Sequence, residues 1–356
     1  MKALILSDGK PGHVNQSRAL CSLLGFPAHE VRISFKSEFL EGLLRARINL
    51  FSKLPQNIPQ MLGMMHSFVS EPSIKSLQAV LVNKPEIVVS AGSTTASANV
   101  LVSKAVRAKS VVMMRPSALP LDIFDLVVLP EHDRSSASSQ NIVYTPVVLS
   151  YFDSARRESA DEIIEEKFGK EALKSNPLAF IIGGISPYFQ MHAEEIIEVT
   201  RSCWAWATKK SCGMMATTSR RTPLEVETAL VREFSAKGYG NINFIWGRKD
   251  PFNPLPALLP RASAAVVTED SISMISEAIL QGHRPLVVTL VPRRRSRKLA
   301  RFKDFLTKSD LAVWLKPEDI GEYLKLNADE LIRSHSVDLG SIKHEIKRKL
   351  GLNENR

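Results

Sequence analysis

Cysteine is scarce: Cys21, Cys203 and Cys212 are the only three in 356 residues, odd in number and without a CxxC spacing. That excludes a disulfide-stapled fold, offers no zinc or redox signature, and points to a reducing compartment. Long apolar runs are also missing. Met1 to Leu6 meets Ser7 and Asp8 after a few apolar residues, too short for a secretory h-region, and nothing later approaches the ~20 apolar residues of a membrane span. The expected location is the cytoplasm, with peripheral contact to the cytoplasmic face of a membrane left open. No period of ~20 to 50 residues recurs, which argues against a solenoid or propeller. Acidic residues are outnumbered, 37 against 47 Lys and Arg, leaving +10. Such a surplus attracts polyanions (phosphate ligands, nucleic acid or an anionic membrane face) without choosing among them.

The remaining balance, 44% hydrophobic and 24% charged residues, is that of an ordinary globular protein, and the length favours two domains. Short aliphatic runs recur between longer amphipathic stretches: 3–6, 87–90, 111–114 and 126–129, then 178–182, 214–218, 242–246, 264–267 and 286–289. Strands apolar at successive positions and separated by helix-length segments predict parallel sheets covered on both faces, hence an α/β fold. The charge-rich segment between Pro146 and Pro177 places a hinge near 147–176, giving domains at 1–150 and 177–335. Ile342, Ile346 and Leu350 form one apolar stripe among lysines and predict a docking helix within 336–356.

Several strand ends carry chemistry-bearing residues. Ser7-Asp8-Gly9-Lys10-Pro11-Gly12-His13 is either a tight βα turn or a ligand loop whose glycines let backbone approach a substrate. Ser90-Ala91-Gly92-Ser93 and Pro130-Glu131-His132-Asp133 follow two further strands. His132, between two carboxylates, reads as an acid or base or as part of a solvated loop. Gly183-Gly184 follows one strand, and Ser219-Arg220-Arg221, whose hydroxyl and guanidinium forks suit a diphosphate, follows another. Ser271 falls at a helix N-cap, either as a cap alone or as a phosphate holder, with Glu277 almost two turns further on. The basic run from Arg293 to Lys303 reads as a solvated loop or as a binder of phosphorylated ligand or anionic lipid. It lacks the interleaved aromatics that nucleic-acid binding would want. Residues 35–69, with Phe39, Leu40, Leu43, Leu44, Ile48, Leu50, Phe51 and Leu54 among Lys36, Arg45, Arg47 and Lys53, suit a core helix pair or a membrane surface.

Taken in order, these stretches resemble the mitochondrial-fission ELM-type family, whose many bacterial members are regarded as GT-B-type glycosyltransferases. The resemblance rests on Leu6 to His13 with Asn15-Gln16, Ser90-Ala91-Gly92, and Phe124 to Val128 leading to Pro130-Glu131-His132-Asp133. It continues through Ile182-Gly183-Gly184, Thr217 to Pro223, Asn253-Pro254, Val267 to Met274 with Ser276-Glu277-Ala278, and Lys298 with Arg301-Phe302. It implies two Rossmann-like domains facing across a cleft, the second holding a nucleotide-sugar donor and the first an acceptor. The family role of a helix-start serine on the donor diphosphate falls on Ser271, and that of a glutamate on the ribose hydroxyls on Glu277. Gly183, Gly184, Ser219, Arg220, Arg221, Thr268, Ser273, Met274, Lys298 and Arg301 would complete the donor set. Asp8, Gly9, Lys10, Gly12, Asn15, Gln16 and Gly92 would line the acceptor. The sequence departs from the family pattern at Ile185-Ser186-Pro187-Tyr188, at Leu255, and in the basic segment 246–250.

The reading that follows is a glycosyltransferase moving a sugar from a nucleotide donor to a cell-envelope or lipid-linked acceptor. His13 is expected to be the base, with Glu131 and Asp133 as further candidates, and no metal or other cofactor is required. Nucleic acid is not expected as a partner. The alternatives are a nucleotide-sugar epimerase on the same fold and a non-catalytic, membrane-associated fission-type scaffold.

Overall fold

The computed structural model describes residues 2–50, 57–134, 139–152, 154–174, 176–236, 242–245, 247–250, 252–327 and 337–352. Phe51, Lys53, Leu54, Trp246, Ser336 and residues 353–356 lie outside the described residues.

The chain divides into two compact units, residues 1–151 with 338–356, and residues 152–337. The first is built on strands β1 (Ala3–Ser7), β2 (Ala28–Arg32), β3 (Ile87–Ala91), β4 (Lys109–Met113), β5 (Leu126–Pro130) and β6 (Ile142–Thr145). They form one parallel sheet in the order β2-β1-β3-β4-β5-β6. β1, β3 and β5 are buried at all five positions, as strands with helices on both faces must be. The exposed edge strand β2 keeps only Val31 inside.

The second unit carries β7 (Leu178–Ile181), β8 (Phe189–Gln190), β9 (Met214–Thr217), β10 (Ile242–Ile245), β11 (Ala264–Thr268), β12 (Leu286–Val288), β13 (Val291–Pro292) and β14 (Val313–Leu315). Six of these make a second parallel sheet in the order β10-β9-β7-β11-β12-β14, while β8 and β13 pair as a separate antiparallel ribbon. Relabelled within the unit, the sheet runs 3-2-1-4-5-6, the doubly wound dinucleotide-binding order. Such sheets bind ligands beyond the strand carboxyl ends where the winding reverses. That point lies between β1 and β3 in the first unit and between β7 and β11 in the second.

The segment 147–176, read from the sequence as a hinge, contains the helix Ser154–Phe168, which packs on the helix Leu255–Leu258 inside the second unit. Residues 35–69 contain the helices Glu38–Leu50 and Ile58–Met65, each packed on the helix Ala96–Val106, with a Phe35–Val69 bridge at the ends of the segment. Leu44, Ile48, Met61 and Met65 enter the core, so this is a core helix pair, although Phe39, Leu43 and Leu50 stay exposed. The last helix, Leu339–Leu350, returns to the first unit. Ile342, Ile346 and Leu350 are buried, and Lys349 Nζ donates to the carbonyls of Gln140 and Ile142 at 2.8 Å each. Among the described residues no helix is long and apolar enough to cross a membrane.

Candidate active site

In the first unit, β1 runs into Asp8-Gly9-Lys10, and Pro11 opens the next helix at a position where its missing N–H costs nothing. Gly9 turns the chain at φ +80°. The Asp8 side chain is 3% exposed and accepts from the Lys10 N–H at 3.1 Å, while His13 Nδ1 lies 2.9 Å from Asp8 Oδ2. Burial alone would raise the Asp8 carboxyl, but the Lys10 N–H and the His13 and Lys10 charges outweigh it and hold the pKa below the usual value. An ionised carboxylate only accepts, so Nδ1 carries the donated hydrogen, and in the neutral ring Nε2 is the nitrogen with the lone pair. Gly92, at φ +74° just past β3, lies against the same imidazole. His13 therefore sits at the switch point of its sheet, held by β1 on one side and backed by β3 on the other.

The other acceptor candidates divide. Lys10 is exposed, 3.4 Å from Asp8, and Gly12 has open space where a side chain would be. Asn15 and Gln16 are used internally: Asn15 Nδ2 donates to Ser150 Oγ at 2.6 Å and its Oδ1 accepts from the Tyr151 N–H, while Gln16 Nε2 meets Met114 Sδ at 3.5 Å. Glu131 is ion-paired with Arg134, whose guanidinium stacks 3.8 Å over Tyr144, and His132 is buried with Asp133 Oδ2 at 3.9 Å. This group follows β5, three strand spacings of about 4.8 Å from β1, so about 14 Å of sheet separates it from His13. Glu131 and Asp133 are thus not gathered with His13.

In the second unit the loops after β7, β9 and β11 are fastened to one another. Asp270, whose side chain is fully buried, accepts from the Gly184 N–H at 2.9 Å, from Thr268 Oγ1 at 2.7 Å and from Arg221 Nη2 at 3.0 Å. Thr268 Oγ1 also accepts from the Gly183 N–H at 2.8 Å. Ser219 Oγ donates to the Gly183 carbonyl at 2.9 Å, and Thr222 Oγ1 donates to the same carbonyl. Burial dominates at Asp270 and raises its pKa, against the lowering effects of Gly184, Thr268 and Arg221. The paired glycines answer to this lock: a side chain on Gly183 would strike the Asp270 carboxylate, and one on Gly184 the Arg221–Thr222 backbone. The Gly183 and Gly184 N–H groups and the Arg221 guanidinium are therefore already bonded within the protein. Sequence reasoning missed Asp270, whose only signal was its place beside Ser271.

Past the lock, Ser271 caps the helix Ile272–Leu280, its Oγ accepting from the Met274 N–H at 3.4 Å. The amides of Ile272 and Ser273 belong to the first turn, which has no intrahelical acceptors, so they present a partial positive charge at the switch point. Ser273 is exposed and Met274 and Glu277 are half-buried along the same helix. Arg220 is exposed on the loop after β9. Lys298 and Arg301 lie exposed on the helix Arg297–Lys308, capped by Ser296, with Phe302 buried edge-on to Trp314. The segment after β10 is tied back as well. The buried Glu227 accepts from Thr218 Oγ1 at 2.7 Å and pairs with Arg248 at 3.4 Å, and the Gly247 N–H donates to Thr218 Oγ1 at 2.9 Å. Among the described residues no three His, Cys, Asp or Glu side chains gather in a way that could hold a metal ion.

The UDP-GlcNAc 2-epimerase of Methanocaldococcus jannaschii superimposes with a TM-score of 0.53 over 99% of both chains at 13% identity, which establishes a common GT-B fold. MurG of Acinetobacter baumannii gives a TM-score of 0.45 over 99% of this chain and 95% of its own, also at 13% identity. An uncharacterized protein of Rickettsia prowazekii (strain Madrid E) is 25% identical over 346 residues, covering 88% of this chain and 90% of that one. The family model described as mitochondrial fission ELM1 matches residues 11–333, nearly the whole length, and the chain belongs to that family.

Proposed function

We propose that this protein is a glycosyltransferase that moves a sugar from a nucleotide-sugar donor to a hydroxyl of a cell-envelope or lipid-linked acceptor. The observation that supports this reading is that each sheet carries a group suited to one half of the reaction at its own switch point. The first holds an Asp8–His13 pair and the second a capped helix start at Ser271.

In that reaction the acceptor oxygen bonds to the anomeric carbon of the sugar. The bond from that carbon to the diphosphate oxygen breaks, and the acceptor proton passes to His13 Nε2. Asp8 holds the imidazole in the tautomer that leaves Nε2 basic and stabilises the positive charge that develops on it. The Ile272 and Ser273 amides and Arg220 would meet the charge on the departing nucleoside diphosphate, since amides fixed at a helix start need no reorganisation as that charge grows. Arg221 contributes by holding Asp270, and through it the loops that seat the helix. Glu277 would hold the ribose hydroxyls. No further cofactor is invoked.

The test is incubation of the purified protein with labelled UDP, GDP, ADP and CMP sugars, with and without a bacterial envelope lipid extract as acceptor source. Label should move only when acceptor is present, and His13→Ala should abolish transfer while nucleotide binding persists. Turnover unchanged in that variant removes the base assignment. A changed sugar nucleotide formed without acceptor would favour epimerisation.

A further inference from the structure

The ribbon of β8 and β13 has a placement that the donor reading does not use. In the sheet, β7 and β12 flank β11, and β8 follows β7 while β13 follows β12. Their pairing therefore carries a strap across the carboxyl end of β11, beside Ser271. The strap is anchored: Leu290 N–H donates to Glu269 Oε1 at 2.6 Å, and the amides of Arg293 and Arg294 donate to the Tyr188 carbonyl at 2.8 and 3.4 Å.

From Arg293 to Lys303 the chain has seven Lys and Arg and no Asp or Glu, and all seven are exposed. Several other arginines of this unit are matched to acids, among them Arg201 to Glu233, Arg221 to Asp270, Arg248 to Glu227 and Arg261 to Asp161. Among the described residues Arg293, Arg294, Arg295 and Arg297 meet no carboxylate. Like charges held together on a fixed main chain repel, and an external anion relieves that repulsion. Leaving aside Lys298 and Arg301, which the donor reading uses, five positive charges remain, more than the roughly two to three negative charges that a nucleoside diphosphate presents. Next to the run, the loop that supplies the Tyr188 carbonyl exposes Ile185 and Pro187. Apolar side chains beside a cationic cluster suit an interface with anionic headgroups above and acyl chains below.

We propose that the strap and the adjoining Ile185–Tyr188 loop form a docking surface for an anionic lipid bilayer, with Arg293, Arg294 and Arg295 taking lipid phosphates. The surface adjoins the donor end of the second unit, so a membrane-borne substrate would be met at the reacting edge.

The experiment is flotation of the full chain with phosphatidylcholine vesicles with and without phosphatidylglycerol, for the wild type and the triple variant Arg293→Gln/Arg294→Gln/Arg295→Gln. Thermal stabilisation by UDP and GDP is measured on the same preparations. The wild type should float only with the anionic vesicles, and less so at high salt. The triple variant should lose affinity on the order of a hundredfold, from the usual contribution of each basic residue near such a surface, while keeping any nucleotide shift the wild type shows. Equal flotation of wild type and variant, or equal binding to neutral vesicles, overturns the proposal. Loss of the nucleotide shift in the variant overturns it too, because the arginines would then serve the donor diphosphate. So does preferential binding of single-stranded RNA over anionic vesicles. A wild type that floats as described yet responds to neither nucleotide supports the docking surface and counts against the donor reading, so the two fail separately.

Discussion

The imidazole of His13 rests on Gly92: a methyl group at that glycine would lie 2.6 Å from Cε1, well inside contact distance. Gly92 also sits at φ +74°, a conformation that side chains rarely adopt. Gly92→Ala should therefore displace the ring from Asp8 and lower the transfer rate at least tenfold with nucleotide affinity intact. Parallel measurement of turnover and nucleotide dissociation constant checks this. An unchanged rate would show that the ring's position is not what the reaction needs.

Two buried carboxylates should bias stability in opposite directions with pH. Asp8 has a folded pKa below its unfolded value, so its contribution is present above about pH 4 and is lost as pH falls through the folded value. Asp270 has a folded pKa raised by burial, so the stability it brings is present below the unfolded pKa and is lost as pH rises through the folded one. Across the acidic range, Asp8→Asn should flatten the rise of unfolding free energy with pH and Asp270→Asn should steepen it. Urea unfolding at stepped pH reads both slopes, and a change from the wild-type slope of the same sign in both variants would refute one of the two assignments.

Gly184→Ala should destabilise by about 1–3 kcal/mol, because the new methyl group meets the Arg221–Thr222 main chain, which cannot step aside as a flexible side chain would. Gly12→Ala, with open space around its position, serves as the control. Chemical denaturation of the pair checks the contrast, and equal stability would mean the three loops are less tightly fastened than their hydrogen bonds indicate.

The central strands were legible because a parallel strand buried on both faces writes itself as an unbroken aliphatic run, as 87–89 and 264–267 do. Strand β2, Ala-His-Glu-Val-Arg, was invisible for the converse reason: it is an edge with one buried side chain. The two-residue β8 and β13 are too short to carry any period. At the candidate site the sequence marked the loops, since glycines and hydroxyls after apolar runs are local signals. It did not mark the contacts between loops. That Asp270 reaches Gly184 and Arg221, or that Gly92 backs His13, depends on which strands become neighbours, and a linear pattern does not encode that. The hydrogen-bonding state of Arg221, Asn15 and Glu131 was hidden for the same reason.

The first unit depends on a helix that the chain supplies last. Ile346 is fully buried in it, so Ile346→Ala should cost about 2–5 kcal/mol, and a chain stopped after Val337 should lose cooperative unfolding of that unit. Calorimetry of the two variants tests this. A truncated chain that unfolds like the whole would show that the helix contributes nothing to the unit it covers.

The claim on which the account turns is that the helix start at Ser271 holds the diphosphate of a nucleotide sugar. The most direct measurement is a thermal-shift titration of wild type and Ser271→Ala with UDP, GDP, ADP and CMP and their sugar conjugates. A ligand at a hundred times its dissociation constant adds about 2.7 kcal/mol to folding stability. One nucleotide family should shift the wild type, with a much reduced shift in Ser271→Ala beyond the ~1 kcal/mol that loss of the cap itself removes from the free protein. No shift with any nucleotide, or an equal shift in both proteins, would contradict that claim.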